Sequence, residues 1–179
     1  MLLLSIFIIL IFAEINFIGC HIEEENHIKT FPSFVTTDLH GREVTNSIFA
    51  NNYVTALNIW VTDSESCRKL QPKLWQLSKE LNVVQFITLV GNKDIREAKI
   101  ITSDSPNNFV NLIVNDDFND LLVTINQVPI TIFIDNTGNI IGQAVLGDDI
   151  ELIRLELRHL LEINSPDYKN LQLIQNAIF

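Results

Sequence analysis

Cysteine is scarce in this chain: two in 179 residues, Cys20 and Cys67. Two are too few for a disulfide framework. The fold must rest on an apolar core, and a 47% apolar fraction is ample for one. Positive charge is thin as well. Twelve Lys and Arg face 22 Asp and Glu, a net charge of −10. Nucleic acid is therefore not an expected partner, because phosphates need a basic face. The four histidines, His21, His27, His40 and His159, are scattered without metal-ligand spacing. Only six glycines occur, and none form a phosphate-binding loop. The residues thus give no metal site and no cofactor. No repeat and no second domain is visible, so one domain is expected.

No apolar run is long enough to span a bilayer. Leu2 to Phe12 is apolar apart from Ser5, and Glu14 and Asn16 break it. That length suits the apolar region of a signal peptide. The run ends at Phe17-Ile18-Gly19-Cys20. This resembles a lipobox, the bacterial lipoprotein cleavage and lipidation site, with Phe where Leu is usual at −3 and no basic residue before the run. The resemblance implies a signal peptide over residues 1–19, a lipid on Cys20, and a protein tethered to the membrane outside the cytoplasm. An ordinary signal peptide and a misplaced start codon are the alternatives. Residues 20–30, with Glu23-Glu24-Glu25, read as a polar tether.

The middle of the chain carries the strongest local pattern. Tyr53 to Val61 is β-branched and aromatic, as strands prefer. Asp63-Ser64-Glu65-Ser66 then supplies caps for a helix, and Leu70, Leu74 and Leu77 follow at helical spacing. Pro72 falls inside that helix and is expected to kink it. Before this unit, Phe31 to Thr37 reads as an edge strand, Asp38 to Glu43 as a turn with Gly41 at positive φ, and Val44-Thr45 as a short strand. Ser47 to Asn52 reads as a helical turn.

After it, Val83 to Val90 reads as a buried parallel strand, 93–102 as a helix, and Phe109 to Val114 as a strand. Asp116 to Ile125 is a short helix capped by Asn115 or Asp116. Val128-Pro129 opens the strand that runs to Asp135. Asn136 to Asn139 is a hairpin turn, and Ile140 to Gly147 the returning strand. Asp148 or Asp149 caps a last helix with Ile150, Ile153, Leu157 and Leu160 as its buried stripe. Residues 163–179 form a tail, either an extra helix packing Leu171, Ile174 and Ile178 or disordered. The order gives an α/β fold: a mixed sheet with helices on both faces.

Asn58, Trp60, Thr62, Cys67, Arg68, Lys69, Pro72, Lys73 and Leu74 together resemble the active-site segment of extracytoplasmic thioredoxin-fold oxidoreductases of the TlpA/ResA type. That family reads W-A-T-W-C-x-x-C-x-x-E-x-P. Phe34 to Thr45 resembles the family's N-terminal β-hairpin, and Val128-Pro129 its cis proline. The resemblance covers roughly 31–162 and implies a thioredoxin-like fold. It also implies a thiol-disulfide oxidoreductase ancestry. Three departures fall on the chemistry. Ser64 stands where the nucleophilic cysteine belongs, Asp63 replaces an aromatic residue, and Leu70 replaces an acid.

Dithiol exchange needs an exposed thiolate at the helix N-terminus and a second thiol to resolve the mixed disulfide. Ser64 lacks that acidity and is expected to act as the helix cap. Cys67 keeps the resolving position. It is either a small buried hydrophobe or a lone reactive thiol, with Asp63 and Glu65 adding negative charge beside it. Ser64-x-x-Cys67 also echoes the T-x-x-C of peroxiredoxins, although Trp60 stands where their proline belongs. Trp60 reads as a core residue that also lies beside the site, and Trp75 as core or half-exposed on the helix.

In the family the residue before the cis proline pairs with an extended client peptide, so Val128 and Pro129 are implied to keep that role. Three functions remain open. One is a redox-inactive binder of a peptide or partner protein. Another is a one-thiol oxidoreductase or peroxidase using Cys67. The third is a structural subunit of a surface redox complex.

Overall fold

The computed structural model describes residues 30–91, 94–106 and 109–165. The expected signal peptide, Cys20, the expected tether up to residue 29 and the tail from residue 166 lie outside these residues.

Strands β1 (Val35–Thr37) and β2 (Glu43–Thr45) form an antiparallel hairpin. Gly41 turns it with φ of 83°. The extended reading for Phe31 to Phe34 is replaced by a side-chain clasp. The Phe34 N–H donates to Asn46 Oδ1 at 2.7 Å, and Asn46 Nδ2 donates to the Pro32 carbonyl at 2.9 Å. Asn46 thus satisfies two of these backbone groups, and the Phe31 N–H donates to the Gly138 carbonyl at 2.8 Å. A 3-10 turn at Asn46–Phe49 leads into β3 (Val54–Trp60), every residue of which is buried.

Helix α1 (Glu65–Glu80) follows, then β4 (Gln85–Val90), α2 (Ile95–Ile101) and β5 (Val110–Ile113). Helix α1 runs through Pro72 as a single helix, with the proline on its exposed side. The short helix expected after Asn115 splits in two. A 3-10 turn at Asp116–Phe118 is capped by Asn115, and α3 is one turn, Asn119–Leu122. Strands β6 (Ile130–Asp135) and β7 (Ile140–Leu146) precede α4 (Ile150–Asn164), which Asp149 caps.

The sheet order is β5-β4-β3-β6-β7. Strands β3, β4 and β5 run parallel; β6 and β7 are antiparallel to their neighbours. Period-2 alternation sends the side chains of β3 to two cores. Val54 and Ala56 meet Leu70, Leu74 and Leu77 of α1 and Ile153, Leu157, Leu160 and Leu161 of α4. Leu57 and Ile59 meet Phe31, Phe34, Phe49, Phe118 and Leu121 on the opposite face. In α4 the buried stripe takes in Leu161, while Ile150 is only half-buried at the rim. A third cluster gathers Leu39, Trp60, Cys67, Val90 and Ala98 where β3 hands over to α1.

Candidate functional site

Strand β3 pairs with β6 in antiparallel register, Ile59 opposite Ile130. Continuing that register beyond the last pair puts Pro129 beside Trp60 and Val128 beside Val61. The end of β3 and the start of β6 therefore share one end of the sheet, where the chain turns into α1. Val61 and Val128 both pack against the cluster around Cys67. The Val128-Pro129 bond is cis. Among the described residues neither main-chain group of Val128 has a hydrogen-bond partner, while the Pro129 carbonyl accepts from the Gly147 N–H at 2.8 Å.

Ser64 is the N-cap of α1, with extended backbone (φ −92°, ψ 124°). Its Oγ accepts from the Cys67 N–H at 3.4 Å and lies 3.1 Å from Ser66 Oγ. A capping oxygen is what an exposed helix start favours, because it satisfies one of four free N–H groups. No carboxylate or imidazole contacts Ser64 Oγ among the described residues, so nothing there acts as its base. Cys67 is fully buried, on the face of α1 that meets Trp60, Leu39 and Ala98. Trp60 is likewise core, and its indole N–H has no protein partner among the described residues.

Charge around the turn is largely paired. Glu65, whose negative charge was expected beside the thiol, forms an i,i+4 ion pair with Lys69 at 2.6 Å. That hydrogen bond and charge hold the Glu65 carboxyl below its ordinary pKa. Arg68 closes the turn from the other side, donating to the Thr62 carbonyl at 2.8 Å and lying 3.7 Å from Glu97. Lys73 donates to the Asp148 carbonyl. Asp63 stays exposed, with no ion pair among the described residues.

Beneath α1 lies a polar layer that sequence reading had not assembled. Asn111, Thr88, Asn58 and Thr131 stand in one cross-strand row over β5, β4, β3 and β6. All four are buried. Thr88 donates to Asn111 at 2.8 Å, and Asn58 Nδ2 donates to Thr131 Oγ1 and the Ile130 carbonyl. Gln71 reaches down from α1 to donate to Asn58 Oδ1 at 3.2 Å. The one clue in sequence was polar residues set mid-strand in apolar runs. The row fixes α1, and with it Ser64 and Cys67, over the strand that carries Pro129. Among the described residues no group of three His, Cys, Asp or Glu is placed to hold a metal, and no helix is long and apolar enough to cross a membrane.

No family model matches the chain, and no curated protein matches it by sequence. Solved structures do. The thioredoxin domain of a thiol-disulfide oxidoreductase from Bacteroides vulgatus is similar with a TM-score of 0.59 and 19% identity, over 72% of this chain and 96% of that one. A thiol:disulfide interchange protein from Bacteroides sp. is similar with a TM-score of 0.56 and 24% identity, over 72% and 86%. A secreted Mycobacterium tuberculosis disulfide oxidoreductase is similar with a TM-score of 0.52 and 20% identity, over 63% and 82%. The fold is thioredoxin-like, with an N-terminal β-hairpin added.

Proposed function

We propose that this chain belongs to the extracytoplasmic thiol-disulfide oxidoreductase family, has given up dithiol chemistry, and acts by binding a peptide or partner protein. The binding edge is the open main chain of Val128 beside Pro129. The carrying observation is that the turn holds no accessible sulfur. Ser64 spends its oxygen on capping α1, and the thiol of Cys67 is fully buried. Exchange requires a thiolate to attack a disulfide sulfur, form a mixed disulfide, and be released by a second thiol. A capped serine cannot start that sequence. An unpaired strand-entry N–H and C=O can still accept an extended segment by main-chain hydrogen bonding.

The same reading puts the protein outside the cytoplasm, as a neighbouring fold is described as secreted. A lipid at Cys20 tethers it to the membrane there. In that case the native mature chain begins at Cys20 and partitions into detergent, and a lipid-free chain with Met1 intact removes the tether.

The test of function is Ser64→Cys. Positions 64 and 67 lie one helical turn apart, within reach of a bridge. The variant is expected to form a reversible disulfide and to gain disulfide reductase turnover that wild type and Ser64→Ala lack. Wild-type turnover equal to that of Ser64→Cys would assign the chemistry to Cys67 alone. A cysteine-free extended peptide should shift the Val128 and Ile130 amides of wild type. Saturating peptide that leaves both unmoved would sink the binding role.

A further inference from the structure

Lys and Arg are few in this chain, yet one of each, from two separate elements, meets a histidine at one cavity. It measures about 800 Å³ and lies between the β1–β2 turn, the end of α2 and the entry to β5. His40 and Arg42 come from the turn and Lys99 from the last turn of α2. Leu39 and Phe109, both buried, form its floor, and Ser105 adds a hydroxyl. Among the described residues no carboxylate lines it, although acids outnumber bases 22 to 12 in the whole chain. Asp104 is exposed and stands outside the lining.

Arg42 is held rather than free. The buried Asp38 carboxylate accepts from Arg42 Nε at 2.6 Å, and its other oxygen accepts from the main-chain N–H of His40 and of Arg42. That contact uses Nε and anchors the side chain, which is 65% exposed; among the described residues its two terminal nitrogens have no partner. Lys99 has no ion pair among the described residues. An anchored guanidinium and an ammonium without an ion pair among the described residues, over an apolar floor, match an oxyanion on an apolar body.

We propose that this cavity binds a small organic oxyanion, a carboxylate or phosphate ester carrying an apolar group. The cavity shares Leu39 with the cluster around Cys67, but Ser64, Val128 and Pro129 do not line it, and the reading there is tested independently. The test is amide NMR titration of the full-length protein with phenylacetate, phenyl phosphate and neutral phenylacetamide. Both anions should saturate shifts at His40, Arg42, Ser105 and Phe109, and the amide should bind at least tenfold more weakly. Lys99→Gln, on an exposed helix position, should weaken phenylacetate several-fold, and Lys99→Arg should restore it. The tighter anion names the head group. Phenylacetamide binding as well as phenylacetate, absence of saturable shifts at these residues, or Lys99→Gln binding like wild type would each overturn the site.

Discussion

Asp38 takes its character from three hydrogen bonds in the turn it closes. Burial by itself would raise its pKa. The main-chain N–H groups of Arg42 and His40 and the Arg42 guanidinium outweigh that, and the carboxyl sits below its ordinary value. A lowered folded-state pKa means the carboxylate adds stability above its unfolded-state pKa. That stability is lost as pH falls through the folded value. Asp38→Asn should therefore be less stable than wild type near neutrality and should lose less stability on acidification below the ordinary aspartate range. Denaturant melts across acid pH read this directly; an unchanged acid slope would mean Asp38 is not the group responsible. In Asp135 burial is likewise outweighed by the turn partners Thr137 and Asn139, and its lowered carboxyl adds to the residual slope in both proteins together with Glu65 and Glu80. Ser64 shows the other side of residue-scale logic. Its oxygen caps the helix start, and on the proposed reading an oxygen in place of sulfur keeps that cap while the nucleophile is lost.

Between elements, the contact of β7 with α4 turns on Gly142. It has φ of 64°, and a Cβ there would run into the Glu156 carboxylate and the Leu160 methyls. Glu156 is in place because its Oε1 accepts from the Gln143 N–H at 2.8 Å, satisfying a donor on the sheet edge. Gly142→Ala should cost about 1–3 kcal/mol, from the left-handed backbone and the displaced Glu156. Urea melts measure it, and a cost near zero would show that α4 shifts freely. None of this was legible in sequence, because a glycine inside an alternating strand does not announce which helix crowds it. What was legible had a period or a cap. The run Tyr53 to Val61, the stripe Leu70, Leu74 and Leu77, and Ser64 at the helix start are local signals, and each reads directly onto β3 and α1. The Asn58–Gln71 bond, the Arg42–Asp38 post beside Lys99, and the open main chain of Val128 are products of strand register and helix docking. They appear only once distant segments meet.

At the scale of the molecule, a five-stranded sheet has two edges, and each needs an answer to unpaired backbone. The β7 edge is bulged and partly closed by Glu156. The β5 edge is closed by the N-terminal hairpin. The Leu39 N–H donates to the Asn111 carbonyl, Thr36 Oγ1 donates to the Ile113 carbonyl, and Asp38 bridges to Leu112. Phe31 and Phe34 lie beneath this cover in edge-on contact with Phe49, and both rings meet Phe118. The hairpin and residues 31–34 ahead of it are thus part of the core. A chain starting at Phe31 should melt like the full-length protein in solution. A chain starting at Asn46 loses Phe31, Phe34 and Leu39, each nearly fully buried. At about 1.5–3 kcal/mol per buried side chain, that is roughly 5–9 kcal/mol. It equals much of the ~5–15 kcal/mol that keeps a domain of this size folded. It also bares the β5 backbone and the Phe49 and Phe118 rings. The Asn46 chain should elute as aggregate and bind ANS strongly, while the Phe31 chain does neither. A monomeric, cooperatively melting Asn46 chain would show that the β5 edge needs no cover, and that the hairpin is an appendage to the thioredoxin-like core.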